Sequence, residues 1–381
     1  VSDSIPPKAR PIEVLRGQID SVDREILQLL SRRMAVVAEL AAHKREHGLR
    51  VRDLSRERSL LSDRRQLAER LGLSSEIVES LFRLIMWASR DLQASLRAEV
   101  PVHVEPKTIA VIGGLGGIGK RMAQLFTDLG HTVLISDLQT SLSAEEAAAN
   151  AEVTLICVPI AVTEDVIRKV GPHVPDDGLL MDVTSIKQAP LAAMLASTKA
   201  SVLGTHPMFG PAVHSLQGQR IVLCPGRGDA WAEWARSVFR ARGLVITEAA
   251  ADEHDRAMAL VQVLTHFQTQ VLGLTLARLG PPLAESLKFT SPAYLMELYV
   301  AARHFGQDPA LYGPIEMTNP LTGRVTETFR EAADALGQIL ASRDQAAFTA
   351  VFDEVRAFFG EFEREATEQS KFMIDRLVER S

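Results

Sequence analysis

Only two cysteines occur in 381 residues, Cys157 and Cys224. They are too few and too far apart for a disulfide framework or a thiolate cluster, so both are expected to be small buried residues in strands, and no metal is expected. Aromatic side chains make up 5% of the chain. They interleave with no Lys/Arg cluster, so no nucleic-acid partner is expected. No run approaches the roughly 18 to 20 uninterrupted apolar residues of a membrane span. The opening VSDSIPPKARP lacks the apolar core of a signal peptide, which points to a cytoplasmic protein away from membranes. Proline is missing between Pro11 and Pro101, and glycine there is limited to Gly17, Gly48 and Gly72. Long helices can form in that stretch without interruption.

Charged residues make up 24% and apolar residues 46% of the chain, which excludes a disordered polymer. The length suits two or three domains. The net charge of -6 is unevenly spread: residues 1 to 100 hold 18 Lys+Arg against 15 Asp+Glu, leaving 24 against 33 for the remainder. A mildly basic module therefore precedes an acidic body, and the excess suits a small anionic ligand.

Three composition regimes follow one another. Residues 11–99 read as an all-helical domain: a long helix, a turn at Gly48, a second helix, and a third from about Ser74. VPVHVEPK, with Pro101 and Pro106, serves as a linker. Residues 107–248 alternate short β-rich runs (TIAVIG, HTVLISD, EVTLICVP, GLLMDVT, SVLGTH, RIVLCP, LVITEA) with helical stretches. That is the rhythm of a doubly wound parallel sheet, an α/β Rossmann-type domain. Residues 249–381 read as an all-α C-terminal domain, broken at Gly280-Pro281-Pro282, Ser291-Pro292, Asp308-Pro309 and Asn319-Pro320. No repeat period is present.

In the first helix Ile12, Leu15, Ile19, Val22, Ile26, Leu29, Val36 and Leu40 fall on alternating three- and four-residue steps, the pattern of a buried stripe. Arg33 lies in that stripe, where it must either snorkel to water or meet an anion. Lys44, eleven residues on, is within about 20° of the same face and about 16 Å along. Arg16 is about 25 Å back and about 100° round, too far to share their pocket within one chain. Asp53, Arg56 and Glu57 share a helix face, as do Ser89 and Gln93. Singly, each is an ordinary surface group.

Together, LRGQIDSVDREILQLLSRRMAVVAELAAHK, VRDLSRER and LFRLIMWASRDLQ resemble the all-helical chorismate mutase family. The resemblance implies a pocket for the rearrangement of chorismate to prephenate. Such a reaction needs no nucleophile, only a held conformer and stabilised charge on the breaking ether oxygen. It further implies that Arg16 (from a partner subunit), Arg33 and Arg56 hold the two carboxylates. Lys44 and Gln93 would donate to the ether oxygen, Glu57 would take the ring hydroxyl, and Asp53 and Ser89 would support the pocket.

TIAVIGGLGGIGKRMAQLF sets Gly114, Gly116 and Gly119 as G-x-G-x-x-G between a strand and a helix. The first glycine is expected to make the tight turn, the second to admit a pyrophosphate, and the third to let helix and strand pack closely. Asp137, 23 residues beyond Gly114 at the end of the next strand, suits a ribose hydroxyl and disfavours a 2'-phosphate, so NAD is expected over NADP.

DVTSIK supplies Ser185 and Lys187, and GTHPMFGP supplies His206, each where a strand of such a sheet ends. Alone, a histidine before proline is ordinarily a turn residue. With VPIAVTEDVI, DEHD and SPAYLMELYVAARHF, these phrases resemble the prephenate dehydrogenase family. The helical module ahead of them gives the arrangement of the bifunctional chorismate mutase/prephenate dehydrogenase family of tyrosine biosynthesis. This implies that His206 accepts the ring hydroxyl of prephenate, that Ser185 orients it, and that Arg303 binds a carboxylate. Lys187, His254 and His266 support the site, although His254 alone reads equally well as a packing or capping residue. The C-terminal helices would dimerise the chain, and tyrosine would be a candidate feedback inhibitor. Ala212 and Leu295 stand where the family carries an acidic residue and an arginine, so affinity and feedback are the properties they affect. Two alternatives stay open: an arogenate-type dehydrogenase, and a helical module that senses or dimerises without catalysis. Retention of Lys44, Glu57 and Gln93 disfavours the latter, since a carboxylate sensor needs only the arginines.

Overall fold

The computed structural model describes residues 10–47, 49, 51, 53–96, 105–213, 215–280 and 282–378. The turn at Gly48, most of the linker and Pro281 lie outside them. The N-terminal module is three helices: α1 (Ile12–Glu46), α2 (Leu54–Arg70) and α3 (Ser75–Ser95). Asp53 caps α2 by accepting from the backbone N–H of Arg56, and Ser74 caps α3 by accepting from Ile77. α1 buries Val37 and Ala41 in its C-terminal third, and Ala41 packs against Val51. The stripe expected to be buried is instead open in the single chain: Ile19 is 59%, Leu29 60% and Val36 62% exposed. The physical reason is length. α1 runs 35 residues, against 17 and 21 for α2 and α3, so its partners within the chain cannot cover it.

The central domain is a seven-stranded sheet in the order β2-β1-β3-β4-β5-β6-β7. The strands are β1 (Thr108–Ile112), β2 (Thr132–Ser136), β3 (Val153–Ile156), β4 (Leu179–Asp182), β5 (Ser201–Pro207), β6 (Arg220–Arg227) and β7 (Val245–Glu248). Helices α4 (Gly117–Asp128), α5 (Ala144–Ala149), α6 (Ile160–Val170), α7 (Gln188–Ser197) and α8 (Asp229–Ala241) connect them. Alternate strand residues serve opposite faces. Ile109, Val111, Leu155 and Met181 pack with Phe126 and Phe239, while Ala110, Ile112, Ile156 and Leu180 pack with Ile167 and Met194. One pair departs from the all-parallel expectation: β5 and β6 run antiparallel. No helix separates them, and a parallel crossover needs a connecting element of a dozen or more residues, usually helical.

The C-terminal domain is α9 (Ala251–Met258), a widened turn at Ala259–Leu264, α10 (Thr265–Leu279), α11 (Leu283–Ser286), α12 (Pro292–Phe305), α13 (Pro309–Thr318), α14 (Thr322–Ser342), α15 (Gln345–Phe359) and α16 (Phe362–Val378). Pro292 and Pro309 open α12 and α13, where the missing N–H costs nothing. Phe352, Phe359 and Phe362 line an open groove between α15 and α16. Among the described residues, no helix is long and apolar enough to cross a membrane.

Candidate active sites

In the helical module, α3 presents Ser89 and Gln93, both buried, to α1. Arg33 donates to the Ser89 hydroxyl, which in turn donates to the Ile85 carbonyl at 2.6 Å. Burial, then the neighbouring Arg64, press the Arg33 pKa below its ordinary value. Gln93 donates to the Ser89 carbonyl at 3.1 Å and keeps a buried amide oxygen without a partner among the described residues. Lys44 donates to the Val51 carbonyl at 2.7 Å. Glu57 pairs with Arg90 at 2.6 Å, a partner that sequence reasoning missed. Arg56 and Arg16 are exposed, and Asp53 is engaged as the α2 cap. One chain thus brings Arg33, Ser89 and Gln93 together, with Lys44 further along α1, and leaves Arg16 at the far end of the same helix.

The second site forms along the carboxyl edge of the sheet. Gly113–Gly116 follows β1, Asp137 follows β2, Ser185 and Lys187 follow β4, and His206 lies near the end of β5. Asp182 pairs with Gly204 across β4 and β5, so the residues three and two positions further on leave adjacent strands at one edge. The tight turn of the glycine loop belongs to Gly113, at φ +82°, and not to Gly114 as the motif suggests. Gly114 has another constraint: a Cβ there would lie 2.8 Å from the Ile135 side chain. Gly116 caps α4, and a Cβ on Gly119 would lie 2.1 Å from the Gly113 carbonyl. Asp137 accepts from the backbone N–H of Leu115 at 2.9 Å and of Leu138 at 2.8 Å. A close-packed glycine turn at a helix N-terminus, with a carboxylate at the next strand, fits a dinucleotide.

Lys187 is fully buried, and its ammonium donates to Asp182, to Thr184 Oγ1 at 3.2 Å and to the Thr205 carbonyl at 2.8 Å. An ammonium has three donors, and all are used within the chain. His254 makes its contacts within the chain as well. Its Nε2 lies 2.9 Å from His206 Nδ1 and its Nδ1 lies 2.8 Å from Asp255 Oδ1. Asp255 accepts from the backbone N–H of Lys187 at 2.8 Å and of Gln188 at 3.0 Å, and its own carbonyl accepts from Asn319 at 2.8 Å. Asp255 thereby ties the start of α7 to α9 through its carboxylate, and α9 to the end of α13 through its backbone carbonyl.

Burial pushes the His206 imidazole well below its ordinary value of 6.5, and His254 and Lys187 add to the effect. Burial works against charge on Asp255 too, but hydrogen bonds from His254 and from the Gln188 and Lys187 backbone outweigh it and hold the carboxyl below its usual range. Asp182 and Asp255 were missed as members of the site, although they open DVTSIK and close DEHD. Ser185 is half-buried in the loop after β4 and makes no side-chain hydrogen bond among the described residues.

Arg303 is exposed on α12 and forms no hydrogen bond or ion pair with the His206 cluster. Its neighbour His304 joins a second polar cluster. Gln270 Nε2 lies 3.1 Å from His304 and 2.7 Å from Glu316, and the rings of His266 and His304 stand 4.8 Å and 4.1 Å from Tyr312. Burial, then His304, lower His266 to about 4.

Three family models match in succession: chorismate mutase type II over residues 15–94, the nucleotide-binding domain of prephenate dehydrogenase over 127–248, and its dimerization domain over 250–354. A solved prephenate dehydrogenase from A. aeolicus, in complex with hydroxyphenyl propionate and NAD+, shares the fold with a TM-score of 0.55 at 15% identity, over 67% of this chain and 97% of that one. Fold and site therefore define an NAD-dependent oxidoreductase joined to an all-helical chorismate mutase module. The T-protein of Haemophilus influenzae is 33% identical over 94% of this chain and 95% of its own length, and that of Enterobacter agglomerans 36% identical over 95% and 97%. The chain belongs to the T-protein family, the bifunctional chorismate mutase/prephenate dehydrogenases of tyrosine biosynthesis.

Proposed function

We propose that residues 11–99 rearrange chorismate to prephenate and that residues 107–248, closed by 249–381, oxidise and decarboxylate prephenate to 4-hydroxyphenylpyruvate. In the first site Arg33, Arg56 and a partner subunit's copy of the α1 N-terminal arginine hold the carboxylates by their planar forks. Lys44 and Gln93 donate to the ether oxygen, where charge accumulates as its bond to the ring breaks. Ser89 fixes Arg33, Asp53 fixes the start of α2, and Glu57 takes the ring hydroxyl.

In the second site Gly114, Gly116, Gly119 and Asp137 hold NAD, which when bound supplies the hydride acceptor. His206 accepts the proton of the ring hydroxyl through Nε2, which makes no hydrogen bond among the described residues. Ser185 orients that hydroxyl, and Arg303 anchors a substrate carboxylate from the helical domain. Lys187 neutralises Asp182 beneath the site. The observation that carries this reading is a buried imidazole, held well below its ordinary pKa by that burial, at the sheet edge that also bears the glycine turn. A neutral imidazole is the form able to take a proton. The test is His206→Asn: prephenate oxidation should fall about 10² to 10⁴-fold, with NAD affinity and mutase turnover retained. Oxidation at the unaltered rate would remove His206 from the chemistry.

The working unit is a homodimer in the cytoplasm. The exposed α1 stripe and the α15/α16 groove support the dimer, and two free thiols suit a reducing compartment. Tyrosine, which shares the para-hydroxyphenyl ring of the product and carries a carboxylate, is the inhibitor this second site would admit.

A further inference from the structure

We propose that His254 and Asp255 are positioning residues that fix the tautomer of His206, leaving its Nε2 unprotonated and able to receive the substrate proton. The inference rests on the dehydrogenase reading above and assigns tasks to two residues that touch no substrate. His206 Nδ1, His254 Nε2, His254 Nδ1 and Asp255 Oδ1 form one line, with links of 2.9 and 2.8 Å. Proton positions along it follow from the end that has no choice. Asp255 accepts two backbone N–H groups from the start of α7. Its carboxylate is therefore an acceptor toward His254 as well, so His254 carries its proton on Nδ1. In a neutral His254 the Nε2 then holds a lone pair, and the atom facing it, His206 Nδ1, must be the donor. A neutral His206 has one N–H, so its Nε2 is bare.

A reversed line would put the His206 proton on Nε2, which could then only donate. The substrate hydroxyl could not lose its proton there. In the forward line the hydroxyl proton moves to Nε2 while Nδ1–H stays on His254, and the resulting imidazolium is shared between two rings and a carboxylate. Lys187 and Asp182, the remaining charged groups at this point, pair with each other. Asn319 holds the Asp255 backbone from the end of α13, so the line is anchored in both domains that close the site.

Two variants and one spectrum test this. Histidine ¹⁵N NMR of the full chain, with the His206 signals assigned by their loss in His206→Asn, should show Nδ1 protonated and Nε2 bare. His254→Gln offers a carbonyl oxygen to His206 Nδ1–H and should keep kcat for prephenate oxidation within about tenfold of the original. His254→Leu offers nothing and should lose about 10²-fold or more, with KM for NAD and mutase turnover unchanged. An Nε2-protonated His206, or equal losses in the Gln and Leu variants, would each overturn the proposal. Should His254→Leu lose NAD binding as well, the spectrum and the turnover of the Gln variant decide the matter. A chain that binds NAD but never oxidises prephenate would instead refute the underlying dehydrogenase reading.

Discussion

Burial and its basic neighbours depress the His206 pKa well below 6.5, and the consequence is a pH prediction with a definite sign. With His206 as the proposed proton acceptor, activity needs the neutral imidazole, and a depressed pKa keeps it neutral further into acid. Prephenate oxidation should therefore persist as pH falls below 6.5, where an unperturbed histidine would already be mostly protonated. A rate that halves near 6.5 would contradict the burial argument. Asp137 gives a second expectation at this scale. Its carboxylate should repel a 2'-phosphate, so kcat/KM should favour NAD over NADP and Asp137→Ser should narrow the preference. Equal use of both cofactors by the original enzyme would refute it. Residue identities were legible in sequence where a phrase carried them, as His206 did in GTHPMFGP. What could not be read was pairing. Nothing in the chain order shows that Lys187 spends its three donors on Asp182, Thr184 and Thr205, or that His254, 48 positions further along the chain, faces His206.

Strands and helices were easier to read than their relations. Each of the seven β-rich runs became a strand, because alternate residues had two apolar faces to fill and helices on both sides to fill them against. The antiparallel β5/β6 pair was not legible, since direction depends on whether a connection crosses the sheet. The glycine motif gave its closest packing contact at Gly119, while the positive φ fell on Gly113, one position before the motif begins. Gly119→Ala would set a Cβ 2.1 Å from the Gly113 carbonyl. Relieving that contact means moving α4 away from the turn, at about 1 to 3 kcal/mol. The expected outcome is a weakened NAD complex and a lower melting temperature for the dehydrogenase body, with mutase turnover little changed. An unaltered Kd for NAD would show that the turn tolerates the methyl group.

At the scale of the whole molecule, α1 sets the assembly. Arg16 and Arg33 are separated by about 25 Å on one straight helix, and the apolar stripe between them is exposed in the single chain. Two antiparallel copies would cover that stripe and bring the Arg16 of each beside the Arg33 and Lys44 of the other, giving two equivalent sites. Chains carrying Arg16→Ala and chains carrying Lys44→Ala should each lack mutase activity. Mixed under subunit exchange, they should regain it in about half of the sites of each heterodimer, because one site then carries both lesions and the other neither. No recovery with exchange confirmed would refute the shared site. The exposed stripe was readable as apolar spacing, but what covers it is a property no single chain displays. The most direct measurement is to give the purified protein chorismate as its only substrate, with and without NAD, and identify what accumulates. Prephenate should accumulate without NAD, and 4-hydroxyphenylpyruvate with carbon dioxide and an equal amount of NADH should appear with it. Chorismate left unchanged in both arms, while added prephenate is still oxidised, would contradict the two-reaction assignment and leave the helical module without catalysis.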